Sequence, residues 1–148
     1  MPEKKTIEKA RKAKREGKAP STQAGEFVHE EIEHIREGKH GAKSTKQAIA
    51  IGLSKARRAG VDLPAPKKGK ASETTRQQAE RDVQKGRKKT AAKPAAKRSK
   101  STLQALKREG RTAASKKSLS EHAKKAAKAR KRSGSTTSRS TRKKQSGK

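Results

Sequence analysis

The sequence predicts an all-α protein without a β-sheet, in which a small helical hairpin precedes short helices and a largely disordered basic tail. Of 148 residues, 44 are Lys or Arg and 14 are Asp or Glu, which gives a formal net charge of +30. Leu, Ile, Val and Phe together number only 14, so one large core cannot form, and low hydrophobicity with high charge is typical of disorder. The 23 alanines favour helix but bury little area.

The composition also excludes several classes of protein. The absence of cysteine rules out disulfides, Cys-ligated metals and thiol catalysis. The longest uncharged stretch, residues 47–54, is far shorter than the ~20 residues that span a bilayer, and no apolar segment follows the N-terminus. No nucleophile–base pair is visible. We therefore expect a cytoplasmic protein that is not an enzyme and has no cofactor, metal, membrane or small-molecule substrate.

Charge is distributed unevenly along the chain. Residues 1–66 carry a net charge of +6, whereas residues 67–148 carry +24. Two prolines and a glycine lie at the break, within 62–69, and such residues end helices. The predicted organisation is a basic N-terminal arm (1–19), a helical hairpin (20–63), a linker (64–71), a Lys/Arg-rich segment (72–132) and a disordered tail (133–148).

The first helix of the hairpin is predicted over about 22–37. Ser21 is a suitable N-cap, and Gly38 is a plausible residue just beyond the C-terminus. Apolar residues with helical spacing form one stripe, with Phe27 beside it. The stripe comprises Ala24, Val28, Ile32 and Ile35.

The second helix is predicted over about 45–59, from the capping box Ser44–Gln47 to Gly60. Gly52 at its middle would be explained by close approach of the two helices or by chance. The core so formed is small for the entropy lost on folding, so a homodimer or a bound polyanion would be the natural stabiliser. Its expected members are Phe27, Val28, Ile32, Ile35, Ile49, Ile51 and Leu53, with Val61 and Leu63 as additions.

Three further short helices are predicted in the Lys/Arg-rich segment. They span about 73–85, 101–109 and 119–131, and they follow a cap at Ser72 and capping boxes at Ser101 and Ser118. Helices of this length are barely stable alone in water. The Ser/Thr/Arg/Lys composition of 133–148 predicts disorder.

The histidine and glutamate residues of the first helix are candidates for binding a metal ion and for docking a basic segment. His29 and His34 are five residues apart, which points their rings about 140° apart on a helix, so they cannot share one metal. A stripe of carboxylates could dock a basic arm, such as residues 4–18 or the tail, or be neutralised locally by Arg36, Lys39 and Lys43. We favour local neutralisation. The stripe comprises Glu26, Glu30, Glu33 and Glu37.

Basic residues of the second helix are interpreted as a phosphate-facing surface. Ser44, Thr45 and Gln47 at its start could approach base edges, as in a helix-turn-helix module, although no third helix is evident. The cations predicted to contact nucleic acid here are Lys39, Lys43, Lys46, Lys55, Arg57 and Arg58.

The positive charge of the second half of the chain is the strongest indication that the protein binds nucleic acid. Engaging eight phosphates would give a salt slope near −7, and affinity would fall ~10⁴-fold between 50 and 200 mM salt. The absence of aromatic residues from this half removes any platform for base stacking and favours duplex DNA over single-stranded RNA. The predicted contacts are Lys85, Arg87, Lys88, Lys89, Lys93, Lys97, Arg98, Lys100, Lys124, Lys125, Lys128, Arg130, Lys131 and Arg132.

Three segments of the first half are distinctive: STQAGEFV at 21–28, IREGKHGA at 35–42 and STKQAIAIGLSKARRAG at 44–60. Through these segments, residues 6–66 resemble an uncharacterised family of small basic bacterial proteins. Members are sometimes labelled DNA-binding or plasmid-stabilisation proteins. Separately, 91–97 and 124–132 are similar in composition to the tails of linker histones and bacterial histone-like proteins.

These observations favour a non-enzymatic, nucleoid-associated protein that binds duplex DNA largely without sequence preference and compacts or bridges it. One alternative is an RNA- or ribosome-associated basic protein. Another is a partner-binding adaptor in a plasmid-maintenance or stress system, in which the hairpin makes the contact.

Overall fold

The computed structural model describes residues 2–88 and 96–145, and for 133–145 it describes the backbone alone. Within these ranges the chain is helical and forms no β-strand, so the predicted all-α class is confirmed. Two compact units, residues 1–114 and 115–148, are described separately below. The helices are α1 (Lys4–Arg15), α2 (Pro20–Arg36), α3 (Thr45–Arg58), α4 (Glu73–Arg87), α5 (Ala96–Arg108) and α6 (Lys116–Gln145), with a 3₁₀ turn at Thr112–Ala114.

The N-terminal segment differs from the expected basic arm, because it forms the helix α1 and packs against α2. Thr6, Ala10 and Ala13 are buried along its inner face, and Ile7 adds to the same contact. Lysine and arginine occupy its outer face. The helix was missed because its buried face consists mainly of small residues, which contribute little to a hydrophobic pattern.

The buried face of α2 is rotated from the predicted apolar stripe. Phe27 and Ile35 are fully buried, but Val28 and Ile32 are only half-buried. Glu30 and Glu31 take inner positions instead. Because α2 contacts both α1 and α3, it buries a wider arc than a two-helix hairpin would.

The crossing of α2 and α3 depends on Gly52. A Cβ atom built on Gly52 would lie 2.6 Å from the Cα of Val28 and 3.0 Å from its backbone nitrogen. Only glycine permits the two backbones to approach so closely, which confirms the proposed reason for a glycine in mid-helix.

Helix boundaries follow the capping chemistry at several sites. Gly38 adopts a φ of +78° just beyond α2, as expected for a residue that ends a helix in the left-handed region. The Ser44 hydroxyl accepts the Gln47 N–H at 3.2 Å at the start of α3, and the Ser72 hydroxyl accepts the Thr75 N–H at 3.3 Å at the start of α4. Local sequence therefore sets these ends.

The linker at 64–71 lies between two segments of different amino-acid composition, but it does not separate two structural units. Helix α4 packs against α3, where the Ser54 hydroxyl donates to the Asp82 carboxylate at 2.6 Å. Ala79 and Asp82 are buried in this contact. The first unit consequently extends beyond the predicted hairpin to Ala114.

A second small core joins the 3₁₀ turn to the hairpin. Ala113 and Ala114 pack with Ile35, Ala42 and Ala48. The Thr45 hydroxyl donates to the Ala113 carbonyl at 2.7 Å, and the Arg36 Nε donates to the Ala114 carbonyl at 2.9 Å. The hairpin is thus covered by α1, α4 and this turn of the same chain, which add to the small core from which a homodimer was inferred; the homodimer itself stays a prediction.

The last two helices are longer than predicted. Helix α5 includes Ser101 in its interior, because the Ala and Lys residues before it are themselves good helix formers. Helix α6 is capped by Ser115, whose hydroxyl accepts the Ser118 N–H at 3.1 Å, so the box predicted at Ser118 is not the cap. The helical backbone of α6 extends to Gln145. The predicted disorder of 133–148 remains a prediction, and 146–148 lie outside the described residues.

Candidate functional site

Helix α6 presents a row of lysines along one side. Successive residues of a helix are rotated by about 100°, so Lys117, Lys124, Lys128 and Lys131 fall within an arc of about 60°. The row is about 21 Å long at 1.5 Å per residue. All four side chains are exposed. We call these four residues the cationic ridge.

The surroundings of the cationic ridge add to its positive potential. Over Lys116–Gln145 the only acidic residue is Glu121, and no salt bridge to a ridge lysine is present among the described residues. The half-buried apolar residues Leu119 and Ala126 lie on the opposite side of the helix. Four further cations of α6, which are also exposed, are Lys116, Lys125, Arg130 and Arg132.

Helix α5 is a second exposed basic element. It contains five cations and no acidic residue, and none of its side chains is buried. Its C-terminal end is fixed by the loop after α2: the Gly41 N–H donates to the Leu106 carbonyl at 2.8 Å, and the Ala42 N–H donates to the Gly110 carbonyl at 3.1 Å. The predicted contacts Lys97, Arg98 and Lys100 all lie on this helix.

The predicted cations of the first unit divide into two groups. Lys43, Lys46, Arg58 and Lys85 are exposed and remain accessible to a phosphate backbone. Lys88 is also exposed, and Arg87 lies 3.5 Å from Asp62 in a largely solvated pair. Lys39 is exposed but lies 3.0 Å from Glu37 and 3.4 Å from Glu3, and the hydrogen bond to Glu37 raises the pKa of its ammonium. Lys89 and Lys93 lie outside the described residues.

Lys55 and Arg57 belong to the second group, because both are turned into the protein. The Lys55 Nζ lies 2.5 Å from an oxygen of the buried Glu31. The Arg57 guanidinium is buried and donates to the carbonyls of Leu63 and Pro64, each at 3.3 Å. Burial lowers the pKa of Arg57, and the charge of Asp82 opposes this effect. The interpretation of both as phosphate contacts is therefore replaced by a structural role.

The residues considered for base contacts at the start of α3 are engaged within the protein. Thr45 is buried against Ala113, the Ser44 hydroxyl caps the helix, and the Gln47 side-chain oxygen accepts the Lys43 N–H at 2.7 Å. In the recognition helix of a helix-turn-helix module, side chains at these positions must be exposed in order to contact base edges. The arrangement removes the basis for sequence-specific contact by α3.

A buried ionic cluster lies beneath this region and was not anticipated. Glu31 is fully buried, and its Oε1 lies 3.1 Å from the Nε2 of His40, whose side chain is 9% exposed. Its Oε2 is the partner of Lys55. Burying a carboxylate requires such compensating charge. The three residues come from α2, α3 and the loop between them, which helical periodicity alone does not bring together.

His34 and Glu3 extend this cluster toward the surface. The His34 Nε2 lies 3.0 Å from the Glu3 Oε1, and the ring centroids of His34 and His40 are 6.2 Å apart. Hydrogen bonds from His34 and then Lys39 lower the pKa of the Glu3 carboxyl. His29, by contrast, is exposed and lies 3.6 Å from Glu33.

The acidic stripe of α2 is neutralised in more than one way. Lys9 of α1 lies 3.9 Å from Glu26, and the Glu3 backbone N–H donates to Glu30 at 3.1 Å. Glu37 pairs locally with Lys39. Docking of the N-terminal segment and local neutralisation therefore both occur.

Residues 3–68 are similar to a family of unknown function, DUF6496. This range ends shortly after α3, so it covers α1 to α3 and leaves α4 to α6 unmatched. No curated protein and no solved structure matches the chain. No helix within the described ranges is long and apolar enough to cross a membrane.

Proposed function

We propose that this protein binds duplex nucleic acid, DNA in preference to RNA, through non-enzymatic and largely sequence-independent contacts between its basic side chains and phosphates. The cationic ridge of α6 is the observation that carries the proposal. Four exposed lysines along about 21 Å of one helix side form no salt bridge among the described residues, and Glu121 is the one carboxylate that the sequence places near them on this helix. Such a row matches a polymer with closely spaced negative charges.

The excess of charge supports a polyanionic partner over simple solubility. A net charge of magnitude about 2–8 keeps a small domain soluble, whereas this chain carries +30. The self-repulsion of so many like charges destabilises the compact state, and a polyanion relieves it. The exposed cations of α5 and of the first unit would add contacts to those of the ridge.

Duplex DNA is favoured over single strands because the chain offers no exposed aromatic surface. The sequence contains one Phe and no Trp or Tyr, and that Phe27 is 1% exposed in the core. Proteins that bind single strands stack bases on aromatic side chains. Binding here would depend on the phosphate backbone alone, which is a basis for compacting or bridging DNA in the nucleoid.

The experiment replaces the four ridge lysines with glutamine in the full chain. Lys and Gln have similar helix propensities, so α6 should be little affected. Each phosphate contact contributes about 0.9 log units of affinity per tenfold decrease in salt. Counted from 1 M salt, loss of four contacts therefore lowers the affinity for a random-sequence DNA duplex at 100 mM salt by roughly 4,000-fold.

The matched control carries glutamine at Lys4, Lys5, Lys12 and Lys14, which are exposed on α1. Both variants have the same net charge, so a specific role of the ridge predicts less than a tenfold loss for the control. Equal losses in the two variants would show that only overall charge matters and would contradict the ridge as the interface. Tighter binding to structured RNA than to DNA in competition would replace DNA with RNA as the partner.

A further inference from the structure

We propose that Glu31, His34 and His40 bind one divalent transition-metal ion of the zinc class. Glu31 and His34 are three residues apart on α2, and His40 returns to them from the loop beyond the helix. One donor atom from each residue lies within 4.8 Å of the others. Tetrahedral zinc holds nitrogen and oxygen donors about 3.3 Å apart, so small side-chain movements would close the site.

The orientation of His40 supports this assignment. Its Nδ1 lies 3.1 Å from the Gly41 carbonyl oxygen, which can only accept, so Nδ1 carries a proton. In the neutral ring the Nε2 then bears a lone pair and faces the Glu31 Oε1, another acceptor, at 3.1 Å. Two acceptors this close need a proton or a metal ion between them, and the Glu31 Oε1 accepts no hydrogen bond among the described residues. A carbonyl that orients a histidine in this way is typical of metal sites.

The Oε1 atom of Glu31 is a second, independent observation that supports a bound metal ion. Glu31 is fully buried, and its Oε1 accepts no hydrogen bond among the described residues, because the His40 Nε2 lies 3.1 Å away without hydrogen-bond geometry. Buried polar atoms without a partner are rare and costly in folded proteins. A metal ion bound to this oxygen and to His40 would satisfy both at once.

His34 is oriented by a carboxylate in the same manner. Its Nε2 lies 3.0 Å from the Glu3 Oε1, which can only accept a proton, so the other nitrogen of the ring is free to bind metal. A carboxylate behind a ligating histidine fixes the ring and strengthens the ligand. Two imidazoles and one carboxylate form a common ligand set for zinc and related ions.

The charges around the site accommodate a cation. The carboxylates contribute four negative charges and the ammonium groups two positive ones, from Glu3, Glu30, Glu31, Glu37, Lys39 and Lys55. With neutral imidazoles the sum is −2. A divalent ion here would join the end of α2 to the loop 37–44, so its role would be structural.

The test measures metal binding by the full chain, purified without a histidine tag and freed of nucleic acid and metal. Titration with Co²⁺ is expected to give visible absorption that saturates at one equivalent, with intensity typical of four-coordinate nitrogen and oxygen ligands, and Zn²⁺ is expected to displace it. Substitution of His40→Gln or His34→Gln should weaken binding at least tenfold, while far-UV circular dichroism shows that the helices remain.

The matched control is His29→Gln, because His29 is an exposed histidine of the same helix. Unchanged binding in this variant supports the proposed site. Equal weakening in His29→Gln and His40→Gln would overturn it, and so would several weak equivalents that persist in a His34→Gln/His40→Gln double variant.

Discussion

Substitution of Gly52→Ala should destabilise the first unit, against the direction that helix propensity predicts. In an exposed helix interior Ala is more favourable than Gly by about 1 kcal/mol. At Gly52 the new methyl group would lie 2.6 Å from the Val28 Cα, so a backbone must move. Overpacking of this kind costs about 1–3 kcal/mol, and the upper end applies because the contact is backbone rather than a flexible side chain. The net expected loss is about 1–2 kcal/mol.

Gly25→Ala is the matched control, because Gly25 lies within α2 and a Cβ there would contact nothing within 4 Å. This variant should gain about 0.5–1 kcal/mol from propensity alone. Urea unfolding of the full chain, followed by circular dichroism at 222 nm, measures both. Equal stabilisation by the two substitutions would show that α2 and α3 do not cross at Gly52 as described.

Two further substitutions test the buried polar contacts, again by urea unfolding. Lys55→Ala leaves the buried Glu31 without its ammonium partner and should cost about 3 kcal/mol, whereas Lys46→Ala at an exposed site of α3 should change stability by less than about 0.5 kcal/mol. Thr45→Val leaves the Ala113 carbonyl without its donor and should cost about 1–2 kcal/mol; no loss would mean that the 3₁₀ turn is not held to α3.

The parts of the fold that were predicted are those encoded by local chemistry. Gly38 and Ser44 end and begin helices through their own conformations and hydroxyl groups, so neighbouring residues suffice to place them. Helix α1 and the 3₁₀ turn were missed because they dock through alanines and backbone carbonyls. Ala10 and Ala114 carry little of the hydrophobic signal on which a sequence-based prediction depends.

The candidate sites also divide into features that local sequence sets and features that depend on tertiary contacts. Most of the exposed cations of α5 and α6 could be predicted from composition, but the ridge residue Lys117 was missed because the last helix was expected to begin at 119 rather than at Lys116. Lys55 and Arg57 were assigned to the surface because their charge suggested it, yet tertiary contacts bury Arg57 and leave the Lys55 side chain only 21% exposed. The Glu31–His40 contact joins a helix to a loop beyond it, and only the turn at Gly38 brings the two together.

The salt dependence of DNA binding tests the central claim most directly. Binding of the full chain to a random-sequence duplex should weaken with a slope of log affinity against log salt near −7, if eight phosphates are engaged. Replacing the four ridge lysines with glutamine should reduce that slope by about 3.6. A slope that stays near zero, or that is identical with and without the ridge, would contradict an interface built from these lysines.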